Sequence, residues 1–211
     1  MKDNYDHHLM WNISNNVNVF SPDSKPYGLT YGDWSVKWWQ WALSIPKEHN
    51  PLIDTSGQRS TQNQSGPVWF LAGTLGGSAE RTCIIPSGKA ILFPISNNEC
   101  SFAEYPNAKT ESELRSSAKA DIDQVANLNV VIDSVVISGL EKFRFQSPSF
   151  FLTLPENNVL GLPAITTQSV SDGFWILLHP LSPGKHEVHF GGSCSADIVK
   201  VEATYHLTVE S

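Results

Sequence analysis

Charge is scarce in this chain. Asp, Glu, Lys and Arg together supply 17% of its 211 residues, and the balance is −7 at pH 7. No basic stripe interrupts that deficit. Such a surface repels nucleic-acid phosphates and anionic membrane surfaces, so neither is an expected partner. Long apolar runs are missing as well. No stretch approaches ~18 apolar residues, which excludes a membrane-spanning helix. The opening residues 1–8 contain no apolar core of the signal-peptide kind.

Cysteine is sparse too, with only Cys83, Cys100 and Cys194. None forms a C-x-x-C pair, so zinc knuckles and thioredoxin-type motifs are excluded, and an odd count permits at most one internal disulfide. Neither a Walker loop nor a dinucleotide fingerprint occurs. The G-x-S-x-G elbow of α/β-hydrolases is absent. His186-Glu187-Val188-His189 is one residue short of H-E-x-x-H and sits in a strand pattern. No cofactor is expected.

What is present is apolar and polar-uncharged. Hydrophobic residues make up 40%, enough for a large core, and the surface is left to Ser, Thr, Asn and Gln. That mixture is common in extracellular β proteins and unusual for disordered chains. The expectation is an extracellular or cell-surface protein in its mature form, with a cytoplasmic setting as the alternative.

Periodicity predicts about ten short strands closed by turn signals. They fall over 11–20, 68–72, 81–85, 89–95, the hairpin 130–137, 143–145, 150–154, 173–179, 185–190 and 199–210. Two helices interrupt them. The first covers 30–45: Trp34, Trp38, Trp41 and Ile45 share one face, and Pro46 stops it. The second covers 110–128, opened by the Thr110/Glu113 capping-box pattern, with Leu114, Ala118, Ile122 and Val125 as its stripe. Residues 46–67 and 155–172 read as long polar loops. Strands do not alternate with helices, so a parallel βαβ sheet is disfavoured. The fold expected is a mainly β, antiparallel sandwich of the jelly-roll or Ig-like kind. It forms a single domain over 11–211, with a flexible tail at 1–10.

Three constellations could carry chemistry. Four tryptophans crowd into residues 34–41. They are either a core plug or a stacking platform for a flat ligand such as a sugar ring. Trp39 lies off the buried face and, with Trp38 and Asn98, is the ligand-binding candidate. Glu99 and Glu104, near the end of the strand through Phe93, could act as acid and base in glycoside cleavage, with Asp33 or Asp54 as alternative partner. Surface carboxylates are the ordinary reading. If Leu181–Gly184 is a four-residue hairpin loop, His179 faces His186, which is half of a metal site. Glu99, Glu104 or His49 would complete it. Two hydrogen-bonded histidines at a sheet end is the plainer alternative.

The runs WSVKWWQWALS (34–44), GPVWFLAG (66–73), RTCIIPSGKAILFPI (81–95) and PGKHEVHFGGS (183–193) together resemble an uncharacterised family of exported, Trp-rich β-sandwich proteins of soil archaea and bacteria. The resemblance implies an extracytoplasmic setting and no particular activity. Members of that family carry a further cysteine near 58–61. This chain has none there, so the resemblance favours a Cys100–Cys194 link over one from Cys83.

The functional expectation is a non-catalytic exported binding protein, with carbohydrate as a possible ligand. The alternatives are a polysaccharide hydrolase or lyase using carboxylates near Glu99, and a metal-dependent jelly-roll enzyme using His179 and His186. Partners are limited to a small molecule or glycan.

Overall fold

The computed structural model describes residues 18–194 and 199–211. The expected tail, with His7 and His8, and all but the last three residues of the expected first strand lie outside the described residues. In chain order the elements are α1 (Tyr31–Leu43), β1 (Val68–Phe70), β2 (Gly77–Ile85), β3 (Ala90–Ser101), α2 (Glu111–Ile122), β4 (Val125–Ile132), β5 (Val135–Val136), β6 (Arg144–Gln146), β7 (Phe150–Leu154), β8 (Ile165–Leu178), β9 (Gly184–Cys194) and β10 (Val199–Val209).

The strands form two sheets, so the mainly β sandwich with two helices is the observed architecture. The inner sheet runs β1-β3-β8-β6, with β7 also paired to β8; the outer sheet runs β2-β10-β9-β4-β5. Hydrophobic patterning explains the assignment. Ala90 to Phe93 and Trp175 to Leu178 are continuous apolar runs, and every one of these residues is fully buried. A strand of this kind needs cover on both faces. One face of the inner sheet meets the outer sheet, where Phe93 stacks on Phe190 with ring centroids 4.5 Å apart. The other face meets α1, where Trp175 makes an edge contact with Trp38 at 5.4 Å. The outer sheet instead alternates. Ala203, Tyr205 and Leu207 point inward, while Glu202, Thr204 and His206 between them are only partly covered.

Several sequence expectations are corrected. The sheets are mixed rather than antiparallel: β1–β3 and β2–β10 are parallel pairs. The turn through Pro86–Gly88 carries the chain from one sheet to the other, so β2 and β3 are not edge partners. β8 and β9 also belong to different sheets. The apolar run Trp175–Leu178 needs cover on both faces and finds it by pairing with Ile91–Pro94 in the middle layer, while β9 pairs with β10 and β4, so the proposed hairpin around Leu181–Gly184 does not form and His179 does not face His186. His179 stacks on Phe20 at 3.6 Å and donates its backbone N–H to Asn18.

The helix predicted to reach residue 128 ends at Ile122, and Val125 opens β4, which pairs with β9. Residues 155–164 are loop, but 165–172 belong to β8. The Asp133–Ser134 hairpin forms as expected, both residues having positive φ (48° and 68°). That is the geometry of a two-residue turn matched to strand twist.

Both helices open on reciprocal caps, Thr30 with Asp33 and Thr110 with Glu113. At the far end of α1, the buried Asn50 amide donates to the carbonyls of Ala42 and Ile45 at 2.7 and 2.9 Å. These carbonyls would otherwise lack partners. The loop over 46–67 is therefore clamped to the core. Arg81, almost fully buried, ties it further by donating to the Asp54 carbonyl at 2.6 Å.

Candidate binding cleft

β1 covers β3 only over Ala90–Leu92, while β3 continues to Ser101 along β8. The register between them shifts between Pro94 and Ser96. Beyond that bulge lies a cleft of about 430 Å³. It is lined by Trp38 and Trp39 of α1, Asn97 to Glu99 of β3, Asp121 at the end of α2 and Cys194 of β9. This volume lies in the range of small-molecule sites. A recess of about 50 Å³ adjoins it, sharing Gly73, Thr74, Ser96, Asn97 and Val201.

Gly173, paired with Asn97, shapes the lining. A Cβ there would sit 2.6 Å from the Asn97 Cβ and 2.8 Å from its Cα. Any larger residue would displace Asn97.

The indoles divide by their hydrogen bonds. Trp34, Trp38 and Trp41 donate their Nε1–H groups to Pro26, Leu71 and Gln62 carbonyls at 3.0, 2.9 and 2.7 Å. They are the apolar stripe of α1 and fill the core. Trp39 was expected to be exposed, but it is only 8% exposed. It packs edge-on against Trp38 at 5.0 Å, which draws it inward. Its buried Nε1–H has no partner. Neither has the buried Nδ2 of Asn97. Unpartnered buried donors are rare in folded proteins and each costs about 1–3 kcal/mol. Two of them here belong to residues of one cleft. Trp69 and Trp175 also have unpartnered N–H groups, but neither lines the cleft.

The acids sit on the α1 side of β3. Glu99 is 4% exposed, and the Ser169 hydroxyl donates to its Oε1. Ser101 donates to Glu104 Oε2 at 2.7 Å. Burial, and then the Glu104 carboxyl within hydrogen-bonding reach, push Glu99 up to about 9. The pair therefore resists carrying two negative charges at once. On the opposite face of the strand, Asn98 donates to Asp121 Oδ2 at 2.6 Å. No Lys, Arg or His is among the described residues lining the cleft. Its polar equipment is acids, amide and indole N–H donors, and the hydroxyls of Thr74, Ser96 and Ser193.

Of the residues singled out from sequence, Trp38, Trp39, Asn98, Glu99 and Glu104 are brought together in this cleft. Asp33 is not, because its carboxylate accepts from the Thr30 backbone N–H at 3.0 Å and caps α1. Asp54 is held in the loop below, accepting from Ser56 and Arg59. His49 is exposed beside Glu48. His186 lies in the outer sheet, its Nδ1 2.6 Å from Asp133 and its Nε2 2.8 Å from the Ser182 carbonyl. Asp121 and Ser169 were not singled out from sequence. Asn97 had a signal in its place two residues before Glu99, on the same side of the strand. Asp121 and Ser169 arrive from distant chain segments and had none.

Buried Cys100, whose thiol burial pushes up to about 12, lies under α2 with Leu114 and Ala118. No disulfide joins Cys83, Cys100 and Cys194, so the Cys100–Cys194 pairing that the resemblance favours is not formed. Among the described residues no group of three His, Cys, Asp or Glu is placed to hold a metal ion. No described helix is long and apolar enough to cross a membrane. A wider, open depression of about 760 Å³ on the outer sheet is lined by His186, Glu187 and His206. Its histidines are already hydrogen-bonded to acids, Asp133 and Glu80. No family model, curated protein or solved structure matches this chain.

Proposed function

We propose that this chain is a non-catalytic binding protein of the cell exterior, whose cleft takes a small hydroxylated ligand such as a saccharide unit. The unpartnered N–H of Trp39 carries this reading. It is a buried donor on an apolar indole, in a cleft that also offers the Asn97 amide and carboxyl acceptors. A sugar supplies the missing oxygen acceptors, hydroxyl donors for the acids, and C–H faces for the rings. The exterior setting is supported by the charge-poor, polar-rich composition and by the resemblance to exported proteins.

Calorimetric titration with a panel of neutral mono- and disaccharides tests the proposal. Wild type should bind at least one of them, and Trp39→Ala should weaken that binding tenfold or more. Equal affinity in the two proteins would discard Trp39 as a ligand-contacting residue.

One feature favours a second reading, polysaccharide hydrolysis. Burial and the adjacent Glu104 raise Glu99, the direction that suits a general acid. The same pair weighs against it. Glycosidase carboxyls stand about 5–5.5 or 6.5–9.5 Å apart with the scissile bond between them, whereas Glu104 lies within hydrogen-bonding reach of Glu99. Release of reducing sugar from polysaccharide by wild type, absent in Glu99→Gln, would reverse this ranking.

A further inference from the structure

We infer that the cleft selects a ligand carrying a protonated amine beside its hydroxyl groups, an amino sugar being the simplest such class. This rests on the binding reading above and adds the ligand's charge to it.

Two independent features point the same way. The first is the sign of the cleft. Glu99 and Glu104 stand together on one side of β3, and Asp121 comes in from α2. From α1 the facing groups are the uncharged Trp38 and Trp39, and from behind Glu99 come the hydroxyls of Ser101 and Ser169. Cys100 and Tyr105, the other titratable groups nearby, are both raised, burial leading for the thiol and the Cys100 hydrogen bond for the phenol, and so stay neutral. No described cation on the lining balances the acids. An anionic ligand would be repelled, and a cation is attracted both by the carboxyls and by the indole faces.

The second feature is the unpartnered Trp39 Nε1–H, on a side chain more than nine-tenths buried. It requires an acceptor oxygen, which a bare alkylamine lacks. Together they define a ligand with an ammonium group and hydroxyl or ring oxygens on one small frame.

The proton accounting follows. Without ligand, the Glu99 carboxyl keeps its proton because burial and Glu104 disfavour a second negative charge. An ammonium held beside the two carboxyls supplies that missing positive charge. The Glu99 O–H bond breaks, its proton passes to solvent, and the ammonium N–H donates to the carboxylate left behind. Affinity for the amine should therefore rise with pH while the amine itself remains protonated, by up to tenfold per unit.

Three β-1,4-linked disaccharides differing only at C2 test this: the glucosamine dimer, the N-acetylglucosamine dimer and cellobiose. Each is titrated calorimetrically at pH 5.5 and 6.5, in two buffers of different ionisation enthalpy. The glucosamine dimer should bind at least tenfold tighter than cellobiose and release about one proton, seen as a buffer-dependent heat. Glu99→Gln should abolish that release and cut the amino-sugar affinity at least tenfold. Its melting curve checks the fold, and Glu104→Gln, at a less buried position, serves if it does not fold. Equal binding of all three sugars, or heat independent of buffer, would overturn the inference while leaving the binding reading intact. Binding of none of the three would overturn both.

Discussion

Two buried acids lie on neighbouring strands of the inner sheet, and they lead different lives. Asp172 is 1% exposed and its carboxylate receives the Arg144 guanidinium through two bonds, at 3.0 and 2.9 Å. Gln146 adds a third at 3.2 Å. The same Arg144 reaches Asp123 at the end of α2 at 2.8 Å, so the cluster ties helix to sheet. Glu99, one position along the register and on the opposite face, has no cation and is paired with another acid. Burial alone does not mark a functional acid. The sign of its partner does, because a matched ion pair is complete in itself, whereas a proton-sharing acid pair still has unmet electrostatic demand.

The largest effect should come from breaking the complete pair. Arg144→Met leaves Asp172 buried without its cation and should cost about 2–4 kcal/mol in urea unfolding, less than for a fully buried pair because Arg144 reaches solvent. A loss under 1 kcal/mol would mean that Gln146 and water suffice for Asp172. Gly173→Ala falls next to Asp172, at the position paired with Asn97. It should cost about 1–3 kcal/mol, because its Cβ has no room beside Asn97, and it should weaken cleft ligands as well. A ligand affinity unchanged by this substitution would separate Asn97 from the site.

Glu99 should behave oppositely to Asp172. Its folded-state value is raised above that of the unfolded chain, so the folded protein holds an extra proton between the ordinary glutamate range and about 9. The stability this group contributes is full below the ordinary range and is lost as pH rises toward 9. Wild type should therefore lose stability from pH 5 to 9, and Glu99→Gln should flatten that slope and exceed wild type at pH 8 by about 1 kcal/mol or more. A flat wild-type profile would remove the acid-pair argument. The smallest effect, a control distant from both acids, is Ser134→Gly in the β4–β5 turn. Relief of a positive φ should add about 0.5–1 kcal/mol, with no change at the cleft.

How much of this was legible in the sequence varies by element. The caps of both helices, the Asp133–Ser134 turn and the apolar face of α1 depend on residues within a few positions of one another, and their patterns announced them. Trp39, Glu99 and Asn98 stood out because they are unusual in place: an indole off the stripe, and a polar run at the end of an apolar strand. The C-terminal part of the predicted second helix misled, because Val125 continues the helical spacing while its pairing with Cys194 is invisible along the chain. The facing histidines misled for a related reason. A short link between two strands reads as a hairpin. The apolar run that ends β8 marked it for a layer covered on both faces, but which sheet β9 joins depends on pairing with β10 and β4.

The sequence by itself determined the local choices: which segments are extended or helical, where each helix begins, which turn joins β4 to β5, and that the surface carries little charge. Only the tertiary structure decided which sheet each strand joins, that Trp39 is buried with its N–H unpartnered, and that Glu104, Ser101 and Ser169 meet around Glu99. The physical reason is range. Propensity, capping and turn geometry are settled by neighbours in the chain, whereas a cleft and the charge state of its acids depend on groups that meet only when distant segments pack and exclude water.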